Sequence, residues 1–137
     1  MLYQFTTSTI IKNSHLTLRD SQTINPKKSN SMKKINQISE KVIGACIKIH
    51  RELGPGLLES VYEDILNFEL IRSGLEIKRQ HPIPVYWQNQ RMNIGFRADL
   101  IINNQLIIEI KSVEQMAPVH YKQLLTYLKI TDLKLGY

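Results

Sequence analysis

Cysteine is nearly missing from this chain: Cys46 stands alone among 137 residues. No intrachain disulfide and no thiolate metal site can be built from it. A reducing cytoplasm suits such a sequence, and Cys46 itself reads as a small core residue. Long apolar runs are absent too. None approaches the roughly 18 consecutive residues of a membrane span, so no membrane partner is expected. His50, His81 and His120 lack the spacing of a zinc site. No Gly-rich phosphate loop follows a strand, since Gly54-Pro55-Gly56 has no Lys-Ser/Thr after it. No serine occupies a nucleophile elbow, and no internal repeat is visible.

What is present is a basic chain with enough apolar content, 42%, to form one core. The formal net charge of +6 leans towards a polyanionic partner. The length allows one domain at most. Residues 1 to about 31 are rich in Ser, Thr and Asn and show no sustained period, which predicts a disordered or non-native extension. The patterned domain then covers 32–137, with Met32 at its opening.

Ile35, Ile38, Val42, Ala45, Ile49 and Leu53 recur at three- and four-residue steps, predicting a helix from about Gln37 to Leu53. Asn36 would cap it and Gly54-Pro55-Gly56 would end it. A second helix is expected from about Leu58 to Ser73, with Leu58, Val61, Tyr62, Ile65 and Phe68 as its apolar face and Gly74 as the left-handed cap. Leu75 to Gln80 reads as a strand. Pro82 and Pro84 allow Ile83–Trp87 only an edge position, and Gln88–Arg91 reads as a turn. Gly95 marks a bulge or a close backbone approach. Pro118 suits the first position of a third helix, whose apolar side would be Leu124, Leu125 and Leu128. Leu133 to Tyr137 looks like a strand that stops early. The order predicts an α/β or α+β layer of helices on a small mixed sheet.

The most informative stretch is Phe96 to Lys111. Two short apolar runs flank Asn103-Asn104-Gln105, and the hairpin carries Asp99, Glu109 and Lys111. Charges in an oily hairpin are costly to bury, so three of them point to chemistry. With a three-residue loop, Ile102 opposes Leu106 and Asp99 opposes Glu109, roughly 5 Å apart on one face. Strict alternation adds Lys111, Ile101 and Ile107 to that face and places Leu100, Ile102, Leu106, Ile108 and Ile110 on the other. A two-residue turn would separate the acids. Taken only as residues, the cluster is either a metal-gripping site or a partly buried salt-bridged triad.

The acid, the ten-residue step and Glu109-Ile110-Lys111 resemble the PD-(D/E)XK nuclease superfamily. Gly56-Leu57-Leu58-Glu59-Ser60-Val61-Tyr62 matches Gly-x-x-Glu-x-x-Tyr. With Gly44, His50, Leu53–Gly56, Arg97-Ala98-Asp99, Lys111-Ser112-Val113 and Pro118-Val119-His120 around it, the chain looks like the small bacterial GxxExxY proteins. The resemblance covers about 32–137. Gln123-x-x-x-Tyr127 is similar to a motif that follows the core in RecB-like members. Ala98 stands where the superfamily name has Pro. The resemblance implies a restriction-endonuclease-like α/β core whose last strand is truncated here.

It also implies Mg²⁺-dependent (or Mn²⁺-dependent) phosphodiester hydrolysis of nucleic acid, DNA rather than RNA. Asp99 and Glu109 would be metal ligands, with the Ile110 carbonyl as a third donor. Lys111 would orient or deprotonate the attacking water or offset transition-state charge. Glu59 would hold a second metal or a metal-bound water. Gln123 and Tyr127 would line the substrate groove. Lys78, Arg79, Arg91 and Arg97 read first as a solvated charged face, and alternatively as contacts to backbone phosphates. The alternative function is a catalytically inactive nucleic-acid- or protein-binding module on the same fold.

Overall fold

The computed structural model describes residues 11–12, 26–113 and 115–137. Its elements are β1 (Ile11–Lys12), α1 (Pro26–Leu53), α2 (Glu59–Arg72), β2 (Ile77–Ile83), β3 (Tyr86–Trp87), β4 (Gln90–Arg91), β5 (Phe96–Ile102), β6 (Leu106–Ile108), α3 (Pro118–Thr131) and β7 (Leu135–Gly136). One sheet has the order β1-β7-β6-β5-β2, and β3-β4 form a separate two-stranded ribbon. β2, β5 and β6 are an antiparallel meander, while β7 runs parallel to β6. A parallel neighbour needs a crossover, and α3 supplies it. The fold is α/β, with α1 and α2 packed on one side of a small mixed sheet and α3 on the other.

Each side has its own core. Ile38, Val42, Ile49, Leu66 and Leu70 pack with Leu100, Ile102, Leu106 and Ile108. Leu124, Tyr127 and Leu128 pack with Ile83, Ile101 and Ile107. The β5–β6 hairpin takes the expected register, Ile102 opposite Leu106. Asn103 and Asn104 both adopt the left-handed conformation, φ 48 and 52, which asparagine tolerates, and Gln105 N–H closes the turn on the Ile102 carbonyl at 2.9 Å. Asn103 also ties the loop to the start of β2, donating its N–H to Glu76 and accepting one from it. Gly95 makes the close approach its identity suggested: a Cβ there would stand 2.5 Å from the carbonyl oxygen of Ile83.

Several boundaries and faces differ from the sequence reading. Helix α1 begins at Pro26, not near Gln37. Proline tolerates the first helical position, and residues 30–34 are exposed, so the early turns carry no apolar stripe to betray them. Of the reading of 1–31 as a disordered extension, residues 1–10 and 13–25 lie outside the described residues. The turn expected over Gln88–Arg91 is only Gln88-Asn89, with φ 48 and 64, and Gln90–Arg91 is a strand. On α2 the buried residues are Glu63, Leu66 and Leu70. Leu58, Val61 and Phe68 of the predicted apolar face are exposed, Phe68 at 57%. On α3, Tyr127 rather than Leu125 joins Leu124 and Leu128 in the core. Both helices are apolar on more than one side, and periodicity cannot say which side meets a sheet. Cys46 is packed against the core as expected, and burial pushes its thiol up to about 11.

Candidate active site

Strict alternation fails at one place, and that place holds Asp99. Ala98 belongs to the α3-side core, whereas Leu100, two residues on, belongs to the α1/α2 side. The partner strand repeats the slip: Ile77 packs on the α1/α2 side and Ile83 on the α3 side. The pairing register is the same before and after, Arg79 opposite Leu100 and His81 opposite Ala98, so no residue is inserted. The slip is conformational. Gln80, opposite Asp99, takes φ 44 in the middle of β2, a conformation that costs a residue with a Cβ roughly 1–2 kcal/mol.

The side chains around it compensate. The Gln80 amide donates to the carboxylates of Glu63 and, at 3.1 Å, of Asp99. The other Asp99 oxygen accepts the N–H of Ile110 at 2.9 Å. That side-chain bond replaces a ladder bond, and β6 accordingly ends at Ile108 rather than near Ser112. Glu109 reaches back across the same gap. Its Oε1 lies 3.4 Å from the N–H of Asp99, and its Oε2 accepts from Lys111 Nζ at 3.4 Å and Gln123 Nε2 at 3.3 Å. Gln123 also donates to the Tyr127 hydroxyl at 2.9 Å. Asp99, Glu109, Lys111, Gln123 and Tyr127 therefore form one connected group, although parity alone no longer explains why the acids meet. The backbone of Glu109 is fixed from the other side, its N–H donating to the Tyr137 carbonyl at 2.9 Å.

The electrostatics carry the mark of that meeting. The Glu109 side chain is only 7% exposed. Burial first, and then the negative charge of Asp99, push its carboxyl up to about 7, although Lys111 and the Asp99 N–H pull it down. Lys111 sits at the long end of ion-pair range and is itself 19% exposed. The site holds more negative charge than its one ammonium offsets.

Glu59 is placed elsewhere. Its carboxylate accepts the N–H of Ser112 at 2.9 Å, and the Ser112 hydroxyl donates to the Leu57 carbonyl at 2.8 Å. Tyr62 donates its hydroxyl to the carbonyl of Gly54. In this structure Glu59 and Tyr62 pin the α1–α2 turn and the segment just after Lys111. The carboxylate that α2 sends to the Asp99 side is Glu63, the buried charged residue among the described residues, at 6% exposure. Arg79 holds it at 2.9 Å and Asp64 at 2.7 Å, which raises the Arg79 guanidinium further and commits it to these acids. Sequence reasoning missed both Gln80 and Glu63. A signal for Glu63 existed: it shares a stripe with Leu66 and Leu70 at i, i+3 and i+7, where a charge demands a reason. Lys78, Arg91 and Arg97 form no ion pair among the described residues.

The donor set suits a hard divalent ion. Among the described residues no three His, Cys, Asp or Glu side chains gather as a metal cage. Mg²⁺ needs no such cage, since it takes one or two carboxylates and keeps its waters. Both Asp99 oxygens and Glu109 Oε1 each accept one bond and keep a lone pair, while Glu109 Oε2 already accepts two, and mutual repulsion is what a cation would relieve.

A family model described as the PD-(D/E)XK nuclease superfamily matches residues 36–137. No curated protein and no solved structure matches the chain. No helix among the described residues is long and apolar enough to cross a membrane.

Proposed function

The chain belongs to the PD-(D/E)XK nuclease superfamily, and on that premise we propose that it hydrolyses phosphodiester bonds of nucleic acid with Mg²⁺ or Mn²⁺. The observation that carries this reading is the meeting of Asp99 and Glu109 beside Lys111, with the Glu109 carboxyl pushed up to about 7 by burial and by Asp99. Gly56, Glu59 and Tyr62 support placing it with the GxxExxY proteins, their side chains and turn bracing the segment that carries Lys111.

Asp99 and Glu109 would hold the ion, with the Ile110 carbonyl as a further donor. Such an ion, when bound, activates water and neutralises charge on phosphoryl oxygens. The protein's own share is positioning. Gln80 and the Ile110 N–H fix the Asp99 carboxylate, and Gln123 and Lys111 fix Glu109. Lys111 keeps an ammonium at the mouth of the site, where it can orient the attacking water or offset charge growing on phosphate. Gln123 lines the substrate side, and Tyr127, buried in the α3-side core, positions it by accepting its amide N–H. Glu59 acts through Ser112 as a support for Lys111, and DNA is the substrate we favour.

The test is a panel of labelled DNA and RNA substrates with and without Mg²⁺ or Mn²⁺. Cleavage is expected from the wild type and not from Asp99→Asn. Lys111→Ala is expected to lose cleavage and retain most binding. Nicking that persists unchanged in Lys111→Ala would remove the role given to that residue. One observation favours the second reading, a non-catalytic binding module: Glu109 is paired with Lys111 and largely withdrawn from solvent. In that case cleavage would be absent on every substrate while binding remained.

A further inference from the structure

Between β2 and β5 the chain leaves the sheet and makes the β3–β4 ribbon. Gln88 and Asn89, both left-handed, close it as the two-residue turn that matches strand twist. Met92 N–H donates to the Val85 carbonyl and extends the ribbon by one more pair. The ribbon has no apolar core of its own, yet it carries large aromatic side chains. Tyr86 is 59% exposed and Trp87 69%. Adjacent strand residues face opposite sides, so each face of the ribbon presents one ring. Arg91 stands directly across from Tyr86, and Arg97 opposite Pro82 at the ribbon's base, both without an ion-pair partner among the described residues.

Its place matters as much as its composition. The ribbon departs after Ile83 and returns at Phe96, residues that pair with each other. Gln80 and Asp99 lie three residues further along those same strands. At about 3.3 Å per residue the base of the ribbon is about 10 Å from the acids, roughly three nucleotide rises of a strand. Tyr86 also lines a groove of about 520 Å³ with His81, Pro84, Ile130, Thr131 and Leu133. At the base, the Phe96 ring rests on Tyr127 with centroids 5.3 Å apart, and Tyr127 connects through Gln123 to Glu109.

We propose that the β3–β4 ribbon is a base-stacking wing that binds unpaired nucleotides of a nucleic-acid strand leading into the Asp99–Glu109 site, with Trp87 and Tyr86 as the stacking platforms and Arg91 and Arg97 on the phosphates. This rests on the nucleic-acid reading given above and adds the substrate form. Exposed rings stack on bases only where a base face is free. Inside a duplex both faces are occupied, so a wing of this kind selects single strands, frayed ends or flaps. Tyr86 with Arg91 across from it, Trp87 with polar Gln90 across from it, and Arg97 at the base fit a charged strand of bases better than an apolar protein surface.

Trp87 is the one tryptophan in the chain, so its emission reports on the wing alone. Full-length protein in EDTA, where cleavage is silent, is titrated with a single-stranded oligonucleotide and with the duplex of the same sequence. The single strand is expected to quench Trp87 and the blunt duplex is not. By fluorescence anisotropy of labelled strands, Trp87→Ala is expected to weaken single-strand binding roughly five- to a hundred-fold and to change duplex binding less than about twofold. Trp87→Phe, which keeps a ring, is expected to retain most of the affinity. Unchanged emission at saturating single strand, equal losses on both substrates, or an emission change with protein concentration alone would overturn the proposal. The last outcome would make the ribbon a contact between copies. Quenching without cleavage on any substrate leaves the wing standing and removes hydrolysis. Cleavage of single strands that ignores Trp87→Ala, with no quenching, does the reverse.

Discussion

Two residues decide the chemistry that the candidate site can do. Gln80 accepts a left-handed backbone inside a strand and in return touches both Glu63 and Asp99. Gln80→Gly and Gln80→Ala both lose those contacts, but glycine takes φ 44 without the Cβ clash. Urea melts should therefore find the glycine variant more stable than the alanine variant by about 1 kcal/mol. Equal midpoints would mean that the backbone there relaxes freely. Glu109 makes a pH prediction. Its carboxyl lies near 7 in the fold against a usual 4.5. Between those values the folded chain holds a proton that the unfolded chain has released, so stability falls as pH rises across that window and is fully reduced above it. The loss is on the order of 3 kcal/mol. Denaturant melts in EDTA at pH 5 and pH 8 measure it, and Glu109→Gln should abolish most of the difference between the two. A wild-type stability that climbs over the same range would reverse the assignment.

Helices α1, α2 and α3 were legible as elements because apolar residues recur at helical steps, but their buried sides were only partly legible. Around α2, Tyr62 and Ile65 of the expected face do pack against the core, Leu58, Val61 and Phe68 meet solvent, and the buried stripe is Glu63, Leu66 and Leu70, which contains a charge. Burying Glu63 is tolerable because Arg79 and Gln80 from β2 reach it. No local rule reveals partners sixteen and seventeen residues away. Substitution separates the two stripes. Phe68→Lys should leave the melting temperature nearly unchanged, since Phe68 meets solvent and the ring of Phe68 gives up only its stacking with Arg72. Leu70→Ala, at a fully buried site, should cost about 2–5 kcal/mol. Matching losses at the two positions would mean the exposed face of α2 is covered in solution.

Over the whole molecule, a sheet with α1 and α2 on one side and α3 on the other brings an acid from β5, an acid and a lysine from the end of β6, and a glutamine from α3 to one place. If that place grips a divalent ion, Mg²⁺ or Mn²⁺ should raise the melting temperature, because two repelling carboxylates bind it only when folded. Asp99→Asn should remove the shift, and a wild type indifferent to both ions would favour the binding module. The sequence by itself determined the hairpin register from Ile102 opposite Leu106 to Leu100 opposite Ile108, through its apolar alternation and its Asn-Asn-Gln loop. It determined the acid-x-lysine spacing and the superfamily as well, since these are local patterns. Only the tertiary structure decided that Glu63 rather than Glu59 shares Gln80 with Asp99, and that alternation resets at Gln80. It also decided that an aromatic ribbon opens beside the acids. Those facts depend on which distant surfaces come to face each other, and a charge or a strained backbone is affordable only where such a surface supplies its partner.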